Sequence, residues 1–265
     1  MSSSECIRWQ GNLACLRIDG VMVKSRHTID GTHVFGPDSD HTTLAISGLS
    51  LLSEECDINS VCIDESIEES VLLACGYSID KEAEWTISCG DEACVSISKG
   101  GMQKGQVDGF EIDKEFHTQI SEAWITELSA VSQGAFVSEQ AYLSGSSARM
   151  KLTGQKMGDL LIWPPREMVG NGRPEEGLAL RESGVIESWT KLSAGGAPSE
   201  FSLRAPILEG ISTVFVRLID GPCGVFLIAD DEDKLPEIGI KVDFAIRRLY
   251  AQDGLIRYGL KALIS

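Results

Sequence analysis

The chain has 265 residues, enough for one or two domains and for a core that removes about 70–75% of the unfolded surface from water. Its 43% hydrophobic content excludes wholesale disorder, and no apolar run approaches the ~18 residues that a membrane helix needs. Asp plus Glu is 40 against 23 for Lys plus Arg, a net charge of −17, which argues against nucleic-acid and anionic-membrane surfaces because both require cations to neutralise phosphate.

The first residues (MSSSECIRWQ) show no basic stretch followed by an apolar one, so a cytoplasmic location is expected. In such a setting the eight cysteines (Cys6, Cys15, Cys56, Cys62, Cys75, Cys89, Cys94 and Cys223) are expected as reduced, small apolar residues. No pair has C-x-x-C spacing, so the usual zinc and dithiol signals are missing. Residues 1–150 carry a net −15 and residues 151–265 only −2, and seven of the eight cysteines precede residue 95. That contrast predicts two compositionally distinct parts, with a connection near Gly145-Ser146-Ser147.

In chain order, 15–23 (CLRIDGVMV) predicts a strand and a tight turn at Asp19-Gly20. Residues 38–52 predict a helix capped by Asp40, with Leu44, Ile46, Leu49 and Leu52 as its apolar stripe. A short strand is expected at 59–63, a short helix at 67–76 stopped by Gly76, and a strand pair at 85–88 and 93–97. An amphipathic helix follows at 119–131, with Ile120, Trp124, Leu128 and Val131 on one side. This order implies α/β with a mixed sheet. No phosphate loop, nucleophile elbow or H-E-x-x-H is present. His27 and His33 could share a loop with Asp30 and serve a metal or a proton transfer, but a solvated loop is the simpler reading. The acidic run from Glu55 to Glu69 reads as a solvated face rather than a paired-carboxylate site.

From Gly184 the pattern turns to strands: GVIESWTKL, STVFVRLIDG, GVFLIAD, GIKVDFAIRRL and LIRYGLKALI. Asp220-Gly221 and Asp253-Gly254 supply two of the turns. Five strands in about 80 residues point to a five-stranded OB-type β-barrel. A groove for nucleic acid would draw on Arg204, Arg217, Arg247, Arg248 and Arg257, which alternation scatters over both faces.

Residues 152–263 resemble the acyl-CoA-associated zinc-ribbon-plus-OB-fold family, the small partner of thiolase-superfamily enzymes. The resemblance rests on WPPRE at 163–167, GVIESWT at 184–190, VRLIDG at 216–221, IGIKV at 238–242 and FAIRRLYAQDGLIRYGLK at 244–261. In that family two cysteine knuckles flank the Pro-Pro-Arg stretch and bind zinc. Here those stretches read GQKMG at 154–158 and MVGNG at 168–172, without Cys or His, so a metal-free ribbon is expected. The first part is similar to the N-terminal half of a 3-hydroxy-3-methylglutaryl-CoA-synthase-like protein. The likeness covers the helix at 38–52 and SCGDEACVSI at 88–97.

The resemblance implies an α+β chain. A degenerate thiolase-like α/β domain would span 1–147, a zinc-less ribbon and linker 148–183, and an OB-fold barrel 184–265. It further implies a noncatalytic accessory subunit, assembled in a hetero-oligomer with a thiolase- or HMG-CoA-synthase-like catalytic subunit. The accessory subunit would help wall a shared acyl-CoA or acyl-pantetheine channel, with no tightly bound cofactor, no metal and no catalytic residue of its own. Trp163, Arg166, Trp189 and Arg204 are the expected pantetheine- or partner-facing residues. The alternatives are an acyltransferase using Cys75 or Cys89, and an OB-fold nucleic-acid binder.

Overall fold

The computed structural model describes residues 5–100, 105, 107–130 and 145–265. The chain is α+β and divides into two compact units, 1–121 and 122–265. The division falls inside a helix, whereas the composition changes near 147/148, so the two criteria partition the chain differently. Val131, the expected end of that helix, lies outside the described residues. Among the described residues no helix is long and apolar enough to cross a membrane.

Unit 1 begins with β1 (Glu5–Trp9), β2 (Asn12–Arg17) and β3 (Gly20–Lys24), then a small hairpin of β4 (His27–Ile29) and β5 (Thr32–Val34). Helix α1 (His41–Leu52), β6 (Ser60–Cys62), α2 (Glu69–Ala74), β7 (Ser78–Ile79), β8 (Trp85–Cys89), β9 (Cys94–Ser98) and β10 (Phe110–Glu111) follow. Helix α3 (Lys114–Ser129) starts earlier than its apolar stripe suggests. Seven strands form a mixed sheet in the order β1-β2-β3-β9-β8-β6-β7, in which β6 pairs in parallel with β8 and β7 and the other pairings are antiparallel.

Asp40 caps α1 as expected: its Oδ1 accepts the Thr43 N–H at 3.0 Å, while Thr43 Oγ1 accepts the Asp40 N–H at 2.9 Å. Yet α1 is buried nearly all round rather than along a stripe. Gly48 explains the close approach, because a Cβ there would lie 2.8 Å from Ile97 and 3.0 Å from Val23 on the sheet. In the β1–β2 ladder Cys6 stands opposite Cys15 with their Cα atoms 4.1 Å apart, and the two are joined in a disulfide. The expectation of reduced thiols is therefore corrected for this pair. Residues directly opposite on antiparallel strands face each other closely, which brings the two side chains within reach of one bond.

Unit 2 contains α4 (Ser146–Lys151), then β11 (Thr153–Met157), β12 (Leu160–Ile162) and β13 (Glu175–Ala179), which form a three-stranded sheet in the order β12-β11-β13. Strand β14 (Ser183–Leu192), the single helical turn α5 (Arg204–Ile207), and strands β15 (Ile211–Leu218), β16 (Cys223–Leu227), β17 (Lys241–Gln252) and β18 (Leu255–Ile264) complete it. The last five strands are antiparallel neighbours in the order β16-β15-β14-β17-β18. Just beyond β16, Ile228 bridges Ala262 of β18 in parallel, so the two outer strands of this order meet. Ile186, Val214, Val216, Phe226, Val242, Phe244 and Ala262 fill the interior.

Candidate functional site

The most developed site lies within unit 2, where the β11–β12 hairpin runs into Trp163-Pro164-Pro165-Arg166 beside strand β16. The peptide between Trp163 and Pro164 is cis. The Trp163 ring stacks on Phe226, centroids 5.3 Å apart and planes inclined by 16°, and Phe226 in turn touches Phe244 at 4.4 Å. The indole Nε1–H donates to the Ala148 carbonyl at 3.2 Å. This placement depends on a strand glycine: a Cβ on Gly224 would come within 2.2 Å of the Trp163 ring. A second glycine does the same across the cleft, since a Cβ on Gly259 would meet the Arg149 stem at 2.9 Å. Arg149 Nε donates to the Tyr258 carbonyl at 3.1 Å. Gln155, only 3% exposed, accepts the Arg166 N–H at 2.7 Å and ties the Pro-Pro-Arg turn to β11.

Together these residues enclose an open cleft of about 730 Å³. Trp163, Pro164, Phe226, Leu227, Leu249 and Leu260 give it an apolar lining, and Arg149, Gln155, Arg166 and Glu167 add polar groups. A cleft that is mostly apolar with a few convergent polar groups has the make-up of a small-molecule site.

The structure thus brings Trp163 and Arg166 together but separates the other two expected residues from them. Trp189 stands 46% exposed on β14, away from the cleft lining. Arg204, expected on a ligand- or partner-facing surface, is instead 0% exposed. Its Nε donates to Glu127 Oε2 at 2.7 Å, its Nη2 to the Leu249 carbonyl at 3.0 Å, and its Nη1 reaches Asp230 at 3.4 Å. Its guanidinium also lies 3.8 Å from the centre of the Trp124 ring, whose surroundings include Arg248 at 4.3 Å. Asp230 receives a second cation from Lys261 at 2.6 Å. Burial pushes the Glu127 carboxyl above the usual carboxylate range, and Arg204 opposes that shift. Among the described residues Glu127 Oε1 is buried without a hydrogen bond.

The stretches at 154–158 and 168–172 touch each other through sulfur and glycine. Met157 covers Gly172 so closely that a Cβ there would sit 2.5 Å from the methionine methyl carbon.

The other chemistry-bearing residues are occupied or dispersed. His27 and His33 are in β4 and β5, with Asp30-Gly31 as the turn. The buried His33 ring has Nδ1 2.7 Å from the Ser25 carbonyl and Nε2 2.9 Å from the Val107 carbonyl, so its two nitrogens are engaged internally. This corrects the solvated-loop reading. Among the described residues no three His, Cys, Asp or Glu side chains are grouped to hold a metal ion. In the acidic run, Asp64 accepts the Ser66 N–H at 2.9 Å, and that bond lowers its pKa. Cys75 is buried at the end of α2. Burial first, then the neighbouring Asp64, Cys94 and Asp40 charges, push the Cys89 thiol up to about 12. A thiol so placed has almost no thiolate at neutral pH and is a poor nucleophile.

The sequence reading missed Arg149, Gln155 and Phe226 as cleft residues. The available signal was a glycine inside each of two strand patterns, at 224 and 259, which marks a close approach by another group.

No protein-family model matches the chain, and no curated protein matches it. A solved structure titled "Ltp2-ChsH2(DUF35) aldolase" is similar over 49% of this chain and 98% of its own, at 15% identity and a TM-score of 0.35.

Proposed function

We propose that this chain is a noncatalytic accessory subunit of an acyl-CoA-processing complex, partnered with a thiolase- or HMG-CoA-synthase-like catalytic subunit. Unit 2 supplies a wall of the acyl-CoA or acyl-pantetheine channel. Unit 1, a shortened thiolase-like half, contributes the assembly surface. The complex would form or break C–C bonds or transfer acyl groups to carbon. The subunit's role there is to hold the acyl arm and keep water from it, both of which lower the cost of reaching the reactive geometry.

The observation that carries this reading is the cleft built on Trp163 and Arg166, the resemblance-bearing WPPRE stretch, against strand β16. The strand order β16-β15-β14-β17-β18, with a parallel bridge just beyond β16 to β18, supports the same reading. The Cys89 thiol, raised to about 12, supports a noncatalytic role over an acyltransferase built on that residue. The burial of Arg204 and Arg247 removes two of the five cations that a nucleic-acid groove would have used.

The test is purification of the tagged chain from its source cells at native expression, with mass spectrometry of what elutes in stoichiometric ratio. A thiolase- or synthase-like protein is the expected companion. Elution of the chain alone, as monomer or homodimer, overturns the proposal.

A further inference from the structure

The cleft in unit 2 has an uneven chemistry. Its floor is aromatic, made by the Trp163–Phe226 stack, and its far side is aliphatic, made by Leu227, Leu249 and Leu260. Phe226 in the floor and Leu260 on the far side are almost wholly buried, so both sides of the cleft belong to the packed interior and are pre-formed. Arg166 is exposed at the mouth, and Arg149 lies half-buried along the wall. The Arg149 Nε already donates to the Tyr258 carbonyl, so it is the exposed Arg166 guanidinium that suits a single anionic or polarised carbonyl end. One such group is too few to cradle the several phosphates of a nucleotide. The two glycines have a consistent role, because removing side chains at 224 and 259 lets the Trp163 ring and the Arg149 stem lie flat on the strands.

We propose that this cleft binds the unbranched alkyl chain of an acyl compound, with the carboxylate or thioester end at Arg166 and any nucleotide portion outside. The inference rests on the acyl-CoA reading above and deepens it by assigning the acyl tail, rather than the CoA moiety, to this subunit. Each methylene taken from water into such a cleft strengthens binding by about four-fold, so affinity rises steeply with chain length until the cleft is full.

The experiment titrates the full-length chain with octanoate, decanoate, dodecanoate, dodecanol, dodecanoyl-CoA and CoA, all below their aggregation concentrations. Binding is followed by calorimetry. The expected result is a rise of about four-fold in affinity per methylene along the carboxylate series. Dodecanoate and dodecanoyl-CoA should bind alike, and CoA alone at least a hundred-fold more weakly. Trp163→Leu should flatten the chain-length dependence. Arg166→Gln, a surface change that leaves the floor intact, should weaken dodecanoate but not dodecanol. If Trp163→Leu does not fold, the Arg166→Gln comparison and the chain-length series decide. Equal binding across the series, CoA binding as well as dodecanoyl-CoA, or equal loss of dodecanoate and dodecanol in Arg166→Gln overturns the inference. A catalytic partner that co-purifies with a chain showing no such series leaves the accessory-subunit proposal standing and removes only this one.

Discussion

Trp163 lies across the backbone of Gly224, so close that a single methyl group at that strand position would meet its ring at 2.2 Å. The contact couples a loop following the β11–β12 hairpin to strand β16, more than fifty residues later in the chain. It makes the cleft floor a property of the fold rather than of a mobile side chain. Strand glycines usually weaken a sheet, and this one is compensated by the indole that occupies its missing side-chain volume.

Gly224→Ala should therefore displace the indole, because the clash is with a rigid ring rather than a flexible tip. Overpacking of this kind costs about 1–3 kcal/mol. The expected outcome is a lowered urea midpoint together with a change in tryptophan emission. An unchanged midpoint and an unchanged spectrum would show that the ring does not rest there.

Removing Arg204 should be among the most damaging single changes in unit 2. It would leave Glu127 and Asp230 buried with one cation fewer, a situation that costs about 3–5 kcal/mol. Arg204→Met combined with Glu127→Leu should recover much of that loss, since the uncompensated carboxylate goes with its partner. The pH dependence has a defined sign. Burial raises the folded-state pKa of Glu127, so the native state holds that proton more tightly than the unfolded chain does. The stability this contributes is complete below the unfolded value near pH 4.3 and is lost as pH rises through the folded value. Denaturation midpoints measured across pH 4–8 should decline more for the native chain than for Glu127→Gln. The opposite slope would show that Arg204 outweighs burial.

Thiol labelling should rank the cysteines by exposure and thiolate character. Cys56 is exposed and should react first with iodoacetamide at neutral pH. Cys89, with its thiol raised to about 12, should remain unlabelled in the folded chain. Rapid modification of Cys89, read by peptide mass spectrometry, would contradict the burial that sets its pKa.

What was legible in the sequence were the features with local causes. The Asp40 cap, the Asp19-Gly20 turn, the β8–β9 hairpin and the five strands of the C-terminal sheet each follow from spacing or turn chemistry within a few residues. Strand β1 was missed because it is a short edge strand, and its pairing with β2 fixes the Cys6–Cys15 bond that composition alone argued against. Arg204 was misplaced for a different reason. An arginine is read as surface unless its partners are known, and its two carboxylates come from positions 77 and 26 residues away. The cleft falls between these cases. Trp163 and Arg166 could be picked out from their motif, whereas Phe226 and Arg149 required knowledge of which strand each glycine faced.

The contact between Met157 and Gly172 exposes the β11–β12 hairpin to a particular kind of damage. Met157 is 36% exposed, yet its methyl end fills a slot where not even a Cβ would fit. Conversion of the thioether to its sulfoxide would force a polar oxygen into that slot. The hairpin that leads into the Trp163 cleft is thereby open to oxidant injury and, in principle, to repair by methionine sulfoxide reductases.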